Sequence, residues 1–300
     1  MTAFHSGFVS LVGRPNVGKS TLMNRLVGEK VAIISPKPQT TRNQIRGIYT
    51  GEACQMVFID TPGLHRPRTK LGNYMVRSAE AALNEVDVIL LLVEPSLPVH
   101  PEDREIIGRL AKVRTPVFLV INKLDTIARA EALALIDQYR QLFGFAEIIP
   151  VSALRGDNVK ELLAAVEDRL PEGPRYFPAD MITDQPERQL TAELIREKAL
   201  GLLQEEIPHG IAVEIISMNP REESGGTRDL LDVEANIYCE KESHKGIIIG
   251  KNGDMLKKIG SRARSEMENL LGSPVYLQLW VKVKKDWRDS EFLLRDFGYR

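Results

Sequence analysis

Little in this sequence invites a disulfide, a membrane or bulk attraction to nucleic acid. Its 300 residues hold two cysteines, Cys54 and Cys239, which lie far apart without metal-ligand spacing. A disulfide framework is not expected, and two buried thiols in a reducing compartment are. The longest apolar runs, 88–93 and 117–121, have the length of buried strands and fall far short of the roughly 18 residues a bilayer span requires. The N-terminus lacks the charged-then-apolar layout of a secretion signal, so a cytoplasmic chain with no transmembrane segment is the expectation. Forty basic and 41 acidic side chains leave a net charge of −1, so any contact with RNA must rest on a local patch. With 43% hydrophobic residues, a chain of this length has material for about two domain cores.

What the sequence does carry begins at Gly13-Arg14-Pro15-Asn16-Val17-Gly18-Lys19-Ser20. An apolar run leads in and a helix-compatible run from Thr21 leads out, the context in which G-x-x-x-x-G-K-[ST] binds phosphate. A loop free of bulky side chains lets several backbone N–H groups converge on one phosphate, and the helix N-terminus adds partial positive charge. Lys19 can then reach the β- and γ-phosphates and Ser20 can ligate Mg²⁺.

Residues 1–170 alternate short apolar runs (8–12, 45–49, 55–59, 88–93, 117–121, 148–151) with helical periodicity at 130–143 and 159–170. This predicts a doubly wound, mostly parallel α/β domain, with ligands beyond the carboxyl ends of the strands. Asp60-Thr61-Pro62-Gly63 stands at one such end, where a carboxylate can hold the Mg²⁺ shell and the Gly63 amide can meet a γ-phosphate. Asn122-Lys123-Leu124-Asp125 stands at another. The Asp125 carboxylate can accept from guanine N1–H and its exocyclic amine, a donor pair adenine lacks. Asn122 can meet the other edge of the base, the Lys123 stem can cover its face, and Ser152-Ala153 can present an amide to guanine O6. Each motif alone can be an ordinary turn; four in this order, each at a strand end, imply GTP and GDP.

Two segments are candidate switch loops: 38–43, where a threonine can complete the Mg²⁺ shell only with GTP bound, and 65–73. Many GTPases place a water-orienting glutamine directly after D-x-x-G. Here that residue is Leu64, which predicts slow intrinsic hydrolysis. Proline and glycine at 171–174 predict a linker over 171–189. A second domain follows over 190–300, with a helix at 191–205, strands at 211–217, 232–239 and 275–283, and a polar loop at 219–228. Between the last two strands, Ile249-Gly250-Lys251-Asn252-Gly253 precedes an amphipathic helix. Helix, G-x-x-G turn and helix form the KH arrangement, whose loop backbone approaches a sugar-phosphate chain. Residues 241–264 carry seven Lys/Arg against two acids, with Lys251, Lys257, Lys258 and Arg262 near the turn. Single-stranded RNA is the expected ligand. A protein-recruitment module and a tRNA-modifying GTPase are the weaker alternatives.

These motifs, with Pro38-Gln39-Thr40-Thr41-Arg42, Val151-Ser152-Ala153, Phe177-Pro178 and Leu279-Trp280-Val281-Lys282-Val283-Lys284, resemble the bacterial Era GTPase family over nearly the whole chain. The resemblance implies a Ras-like P-loop G domain followed by a type II KH domain. It implies a GTP-hydrolysing assembly factor that binds the 3′ region of small-subunit ribosomal RNA on the pre-30S particle. It selects Thr41 over Thr40 as the Mg²⁺-linked threonine, and Lys19, Thr41 and Gly63 as the catalytic set. In a subgroup with a hydrophobic residue at the place of Leu64, an asparagine at the place of Asn16 helps bind K⁺. The family also implies peripheral association at the inner membrane, and a monomer is the expected state.

Overall fold

The apolar runs at 88–93 and 117–121 become the middle of a six-stranded sheet in the computed structural model, which describes residues 3–64, 67, 69–83, 86–221 and 230–299. The first unit runs β1 (His5–Val12), α1 (Lys19–Val27), β2 (Ile45–Thr50), β3 (Cys54–Asp60), α2 (Lys70–Ala81), β4 (Val88–Val93), α3 (Pro101–Leu110), β5 (Val117–Ile121), α4 (Arg129–Arg140), β6 (Glu147–Pro150) and α5 (Val159–Glu167). The strand order is β2-β3-β1-β4-β5-β6, parallel except for β2 against β3. Every residue of β4 is buried. Val88, Leu90 and Leu92 enter one core with Leu22, Met23, Leu162 and Val166 of α1 and α5, whereas Ile89, Leu91 and Val93 enter another with Ile106, Leu110, Leu135 and Tyr139 of α3 and α4. An uninterrupted apolar run is what a strand covered on both faces requires, because alternate side chains meet different helix layers.

Much of the expected linker is not a free connection. The first compact unit extends to Asp184 and the second begins at Gln185, with the short segments 35–40 and 69–71 belonging to the second. Gln55 on β3 is fully buried, and its amide bonds the Tyr176 amide (2.7 Å) and the Phe177 carbonyl (2.9 Å). The outward amide of Ile48 on the edge strand β2 donates to Ile182 at 2.8 Å. A buried polar side chain and an open strand edge both need partners, and 171–184 supplies them. The last part of 171–189 is helical from Glu187.

The second unit runs α6 (Glu187–Leu202), β7 (Ala212–Pro220), β8 (Leu231–Cys239), α7 (Glu242–Ile249), α8 (Asp254–Leu271), β9 (Val275–Val283) and α9 (Glu291–Asp296). Its sheet order is β7-β8-β9, with β7 antiparallel and β9 parallel to β8. One sheet face and the helices bury Ile195, Ala199, Val233, Ile237, Ile259, Ala263 and Met267 together. Most of the expected polar loop at 219–228 lies outside the described residues, as do His65, Arg66 and Arg68 of the second candidate switch loop. Both cysteines are free and buried, and burial, the largest influence, pushes the Cys54 thiol up to about 11. No helix among the described residues is long and apolar enough to cross a membrane.

Candidate functional site

Two glycines make the phosphate loop possible. Gly13 has φ +149 and would place a Cβ 2.4 Å from the Leu92 carbonyl oxygen, so only glycine lets the chain leave β1 across β4. Gly18, at φ +100, would place one 2.2 Å from Asn122 Nδ2. That open space lets Asn122 Nδ2 donate to the Val17 carbonyl at 2.8 Å, while its Oδ1 accepts from the Ala153 amide at 3.0 Å. Asn122 is buried and ties the phosphate loop to the loop after β6 through these two bonds, and its amide group carries a second N–H beyond the one given to Val17. Of the Ser152-Ala153 pair expected to present an amide to guanine O6, the Ala153 amide donates into that tie. Arg25 of α1 holds this loop from the other side, donating to the Ala153 (3.1 Å) and Leu154 (2.6 Å) carbonyls.

Lys19 is buried, with its ammonium donating to the Gly13 (3.2 Å) and Arg14 (2.9 Å) carbonyls. Burial lowers it to about 8 against the pull of Asp60. A buried cation held by two neutral carbonyls and one nearby carboxylate is a site that a polyphosphate satisfies. Asp60 is fully buried, and burial holds its carboxyl above the usual range against Lys19, Ser20 and Thr41. Its Oδ2 accepts from Ser20 Oγ (2.6 Å) and Thr41 Oγ1 (3.2 Å), and those hydroxyls are 3.0 Å apart. Its Oδ1 is buried without a hydrogen-bond partner. Three converging oxygens and an orphaned carboxylate oxygen fit Mg²⁺, a hard cation that takes few protein ligands and completes its shell with water and phosphate. Among the described residues no group of three or more His, Cys, Asp or Glu could hold a metal. Thr41, not Thr40, joins this cluster; Thr40 Oγ1 turns to the Lys37 carbonyl at 2.6 Å.

Gly63 packs on the phosphate loop, where a Cβ would lie 2.7 Å from Pro15 N. Leu64, in the place of the usual glutamine, has its side chain buried in the core with Val12 and Leu91, and its amide donates to the Gly13 carbonyl at 3.2 Å. Asn16 is exposed at the tip of the loop with φ 67, a conformation asparagine tolerates. Asp125 accepts from Ser152 Oγ at 2.6 Å, and that bond, its largest influence, holds the carboxyl below the usual carboxylate range. It therefore stays an ionised acceptor for a base.

In the second unit, Gly250 ends α7 at φ +75, where a Cβ would meet the Met255 amide at 2.9 Å. Gly253 opens α8 at φ +81 with nothing near its missing Cβ. The turn flanks a groove of about 480 Å³ lined by Gly253, Leu256, Lys257, Gly260, Ser261 and Arg264 of the turn and α8, and by Leu277 and Leu279 of β9. Of the expected RNA contacts, Gly253 and Lys257 line it. Lys258 and Arg262 are exposed and point away from the lining stripe, roughly 110° and 150° round α8 from its centre. Gly260 and Ser261 went unnoticed in the sequence and Arg264 was counted only in the basic run of 241–264, although the spacing 257, 260, 261, 264 is one helix stripe.

Phosphate loop, Mg²⁺ oxygens and guanine loop lie together at the carboxyl ends of the strands, and the α-β-β-α-α-β unit carries the G-x-x-G turn. The class so defined is a GTPase with a KH domain attached. Residues 8–123 match the family described as "50S ribosome-binding GTPase" and residues 206–288 match the KH domain family. The chain is 53% identical over 298 residues to GTPase Era of Ruminiclostridium cellulolyticum, covering 99% of this chain and 98% of that one. It is 55% identical over 297 residues to GTPase Era of Clostridioides difficile, covering 99% of each. Among solved structures it resembles a point variant of Aquifex aeolicus Era bound to GDP·AlF4⁻ (TM-score 0.93, 45% identity, 99% of each chain). It also resembles Era in complex with MgGDPNP and nucleotides 1506–1542 of 16S ribosomal RNA (TM-score 0.94, 46% identity, 99% of each chain). The chain belongs to the GTPase Era family.

Proposed function

We propose that this chain hydrolyses GTP as a switch in small-subunit ribosome assembly, holding the 3′ end of 16S ribosomal RNA in its KH groove in one nucleotide state more tightly than in the other. The observation that carries the RNA part is the groove beside Gly250–Gly253, in a chain alike over nearly its full length to an Era crystallised with that RNA. Lys19 and the loop amides hold the phosphates, Thr41 and Gly63 mark the γ-phosphate side, and Asp125 selects guanine. Ser20, Thr41 and Asp60 would hold Mg²⁺, which would supply neutralisation of the phosphate charge. The reading includes a cytoplasmic monomer that meets the pre-30S particle; peripheral membrane association remains part of the family expectation.

The test measures a fluorescent oligonucleotide of the 16S 3′ end against the full chain in MgGDPNP and in MgGDP. Gly253→Asp is the informative variant, because its Cβ has open space and aspartate is among the residues that tolerate the left-handed backbone there, with thermal unfolding of the variant as the folding control. A carboxylate facing the RNA backbone is expected to weaken binding about 100-fold, while GDP binding stays at the wild-type level. Unchanged RNA affinity in the variant removes the groove assignment, and equal affinities in the two nucleotide states remove the switch.

The same reading extends to hydrolysis. Leu64 turns into the core, so it cannot order water, and positive charge must come from elsewhere. A K⁺ ion near Asn16 would supply it. Turnover in K⁺ is expected to exceed that in Na⁺ by roughly tenfold or more, and Leu64→Gln is expected to bring no acceleration. Equal rates in the two salts count against the ion.

A further inference from the structure

Glu94, directly after β4, belongs to none of the four motifs, yet it stands between two of them. Its Oε2 accepts from Lys123 Nζ at 2.5 Å, and its Oε1 lies 3.6 Å from Arg14 Nη2. Lys123 is in the guanine loop, whereas Arg14 is in the phosphate loop. Both have reason to need an anchor. Lys123 holds φ 63, a left-handed conformation unusual for lysine, so its backbone alone does not set where the stem points. Arg14 is 7% exposed, and its Nη2 is buried without a hydrogen bond, so Glu94 answers that charge only as an ion pair. The Nε of Arg14 is fixed separately, donating to Asp103 Oδ1 at 2.8 Å, and Asp103 Oδ2 accepts from Tyr139 at 3.2 Å. The Arg14 carbonyl in turn accepts from Lys19. One carboxylate thus joins the lysine that covers the base to the loop that holds the phosphates.

We infer that Glu94 is a positioning residue for nucleotide binding: it aligns the Lys123 stem and, through Arg14, keeps the guanine and phosphate loops in one spatial register. The inference rests on the nucleotide site already described. Its effect passes through Lys123 and Arg14, the two cations its carboxylate meets. The group is about one-third exposed, so its influence is moderate and weakens with salt.

The experiment measures binding and release of a fluorescent GDP by wild type, E94A, K123A and E94A/K123A, with thermal unfolding of each nucleotide-free protein as a folding control. E94A is expected to bind GDP about tenfold more weakly through faster release, with the loss at steady state appearing in KM more than in kcat. E94A/K123A is expected to bind no more weakly than K123A alone, because both changes remove one linkage. GDP affinity of E94A within twofold of wild type, or losses that add in the double variant, overturns the inference. If E94A does not fold, E94Q decides: weaker GDP binding supports the role and wild-type affinity removes it. Failure of wild type to bind GDP would instead overturn the nucleotide site itself.

Discussion

Replacing Asp125 with asparagine is expected to lower affinity for GDP and GTP by about a thousandfold or more while creating affinity for xanthine nucleotides. Guanine presents two adjacent donors, N1–H and the exocyclic amine. The Asp125 carboxylate offers two acceptors, and the hydrogen bond from Ser152 Oγ keeps it ionised and oriented. In Asp125→Asn one acceptor becomes an NH₂ group facing the guanine amine, donor against donor. Xanthine carries a carbonyl at that position and accepts from the new NH₂. Competition of GDP and XDP against a fluorescent nucleotide measures both changes. A variant that binds GDP within tenfold of wild type would show that Asp125 does not read the base. Because Ser152 can donate to the asparagine Oδ1 as well, the loop keeps its support and the unfolding temperature should move little.

The second large effect is on stability. Asp103→Ala is expected to destabilise the first unit by about 3–5 kcal/mol, because it leaves the Arg14 guanidinium buried with only the more distant Glu94 as counter-charge. Tyr139, itself fully buried, loses its acceptor in the same variant. In a unit of this size the calorimetric transition should fall by roughly 6–20 °C. A loss below about 1 kcal/mol would mean that the pair is replaceable by water. The sign with pH also follows. Burial, the largest influence, holds the Asp103 carboxyl above its ordinary range although Arg14 and Tyr139 donate to it. A carboxyl raised in the folded state favours folding when protonated, and that contribution is lost as pH rises through its raised pKa. The ionised pair is therefore retained at a cost at neutral pH. Arg14→Met combined with Asp103→Leu should lose less stability than Asp103→Ala alone, since no unpaired charge is left inside.

The two residues behind these effects differ in how visible they are in the chain. Asp125 sits in a four-residue motif whose chemistry is local: a strand end, a turn and a carboxylate. Asp103 looks like one acid among several in 101–105 of an ordinary helix, and nothing adjacent marks it as buried. The same division runs through the second unit. The Gly250–Gly253 turn is readable because a backbone approached closely needs glycine within one turn. Gly260 and Arg264 gain meaning only when β9 brings Leu277 and Leu279 across from them. Leu64 was readable as a departure from the usual glutamine, but not as a core residue.

The sequence by itself determined the alternation of strands and helices, the phosphate and guanine motifs, the KH turn and the family, because hydrophobic period and motif spacing are properties of contiguous residues. The tertiary structure alone decided that Asn122 ties two loops together, that 171–184 covers an edge strand, and that Arg14, Glu94, Asp103 and Lys123 form one charged chain. These relations join residues up to about 130 positions apart, where only the packing of helices on the sheet sets which charges are buried together.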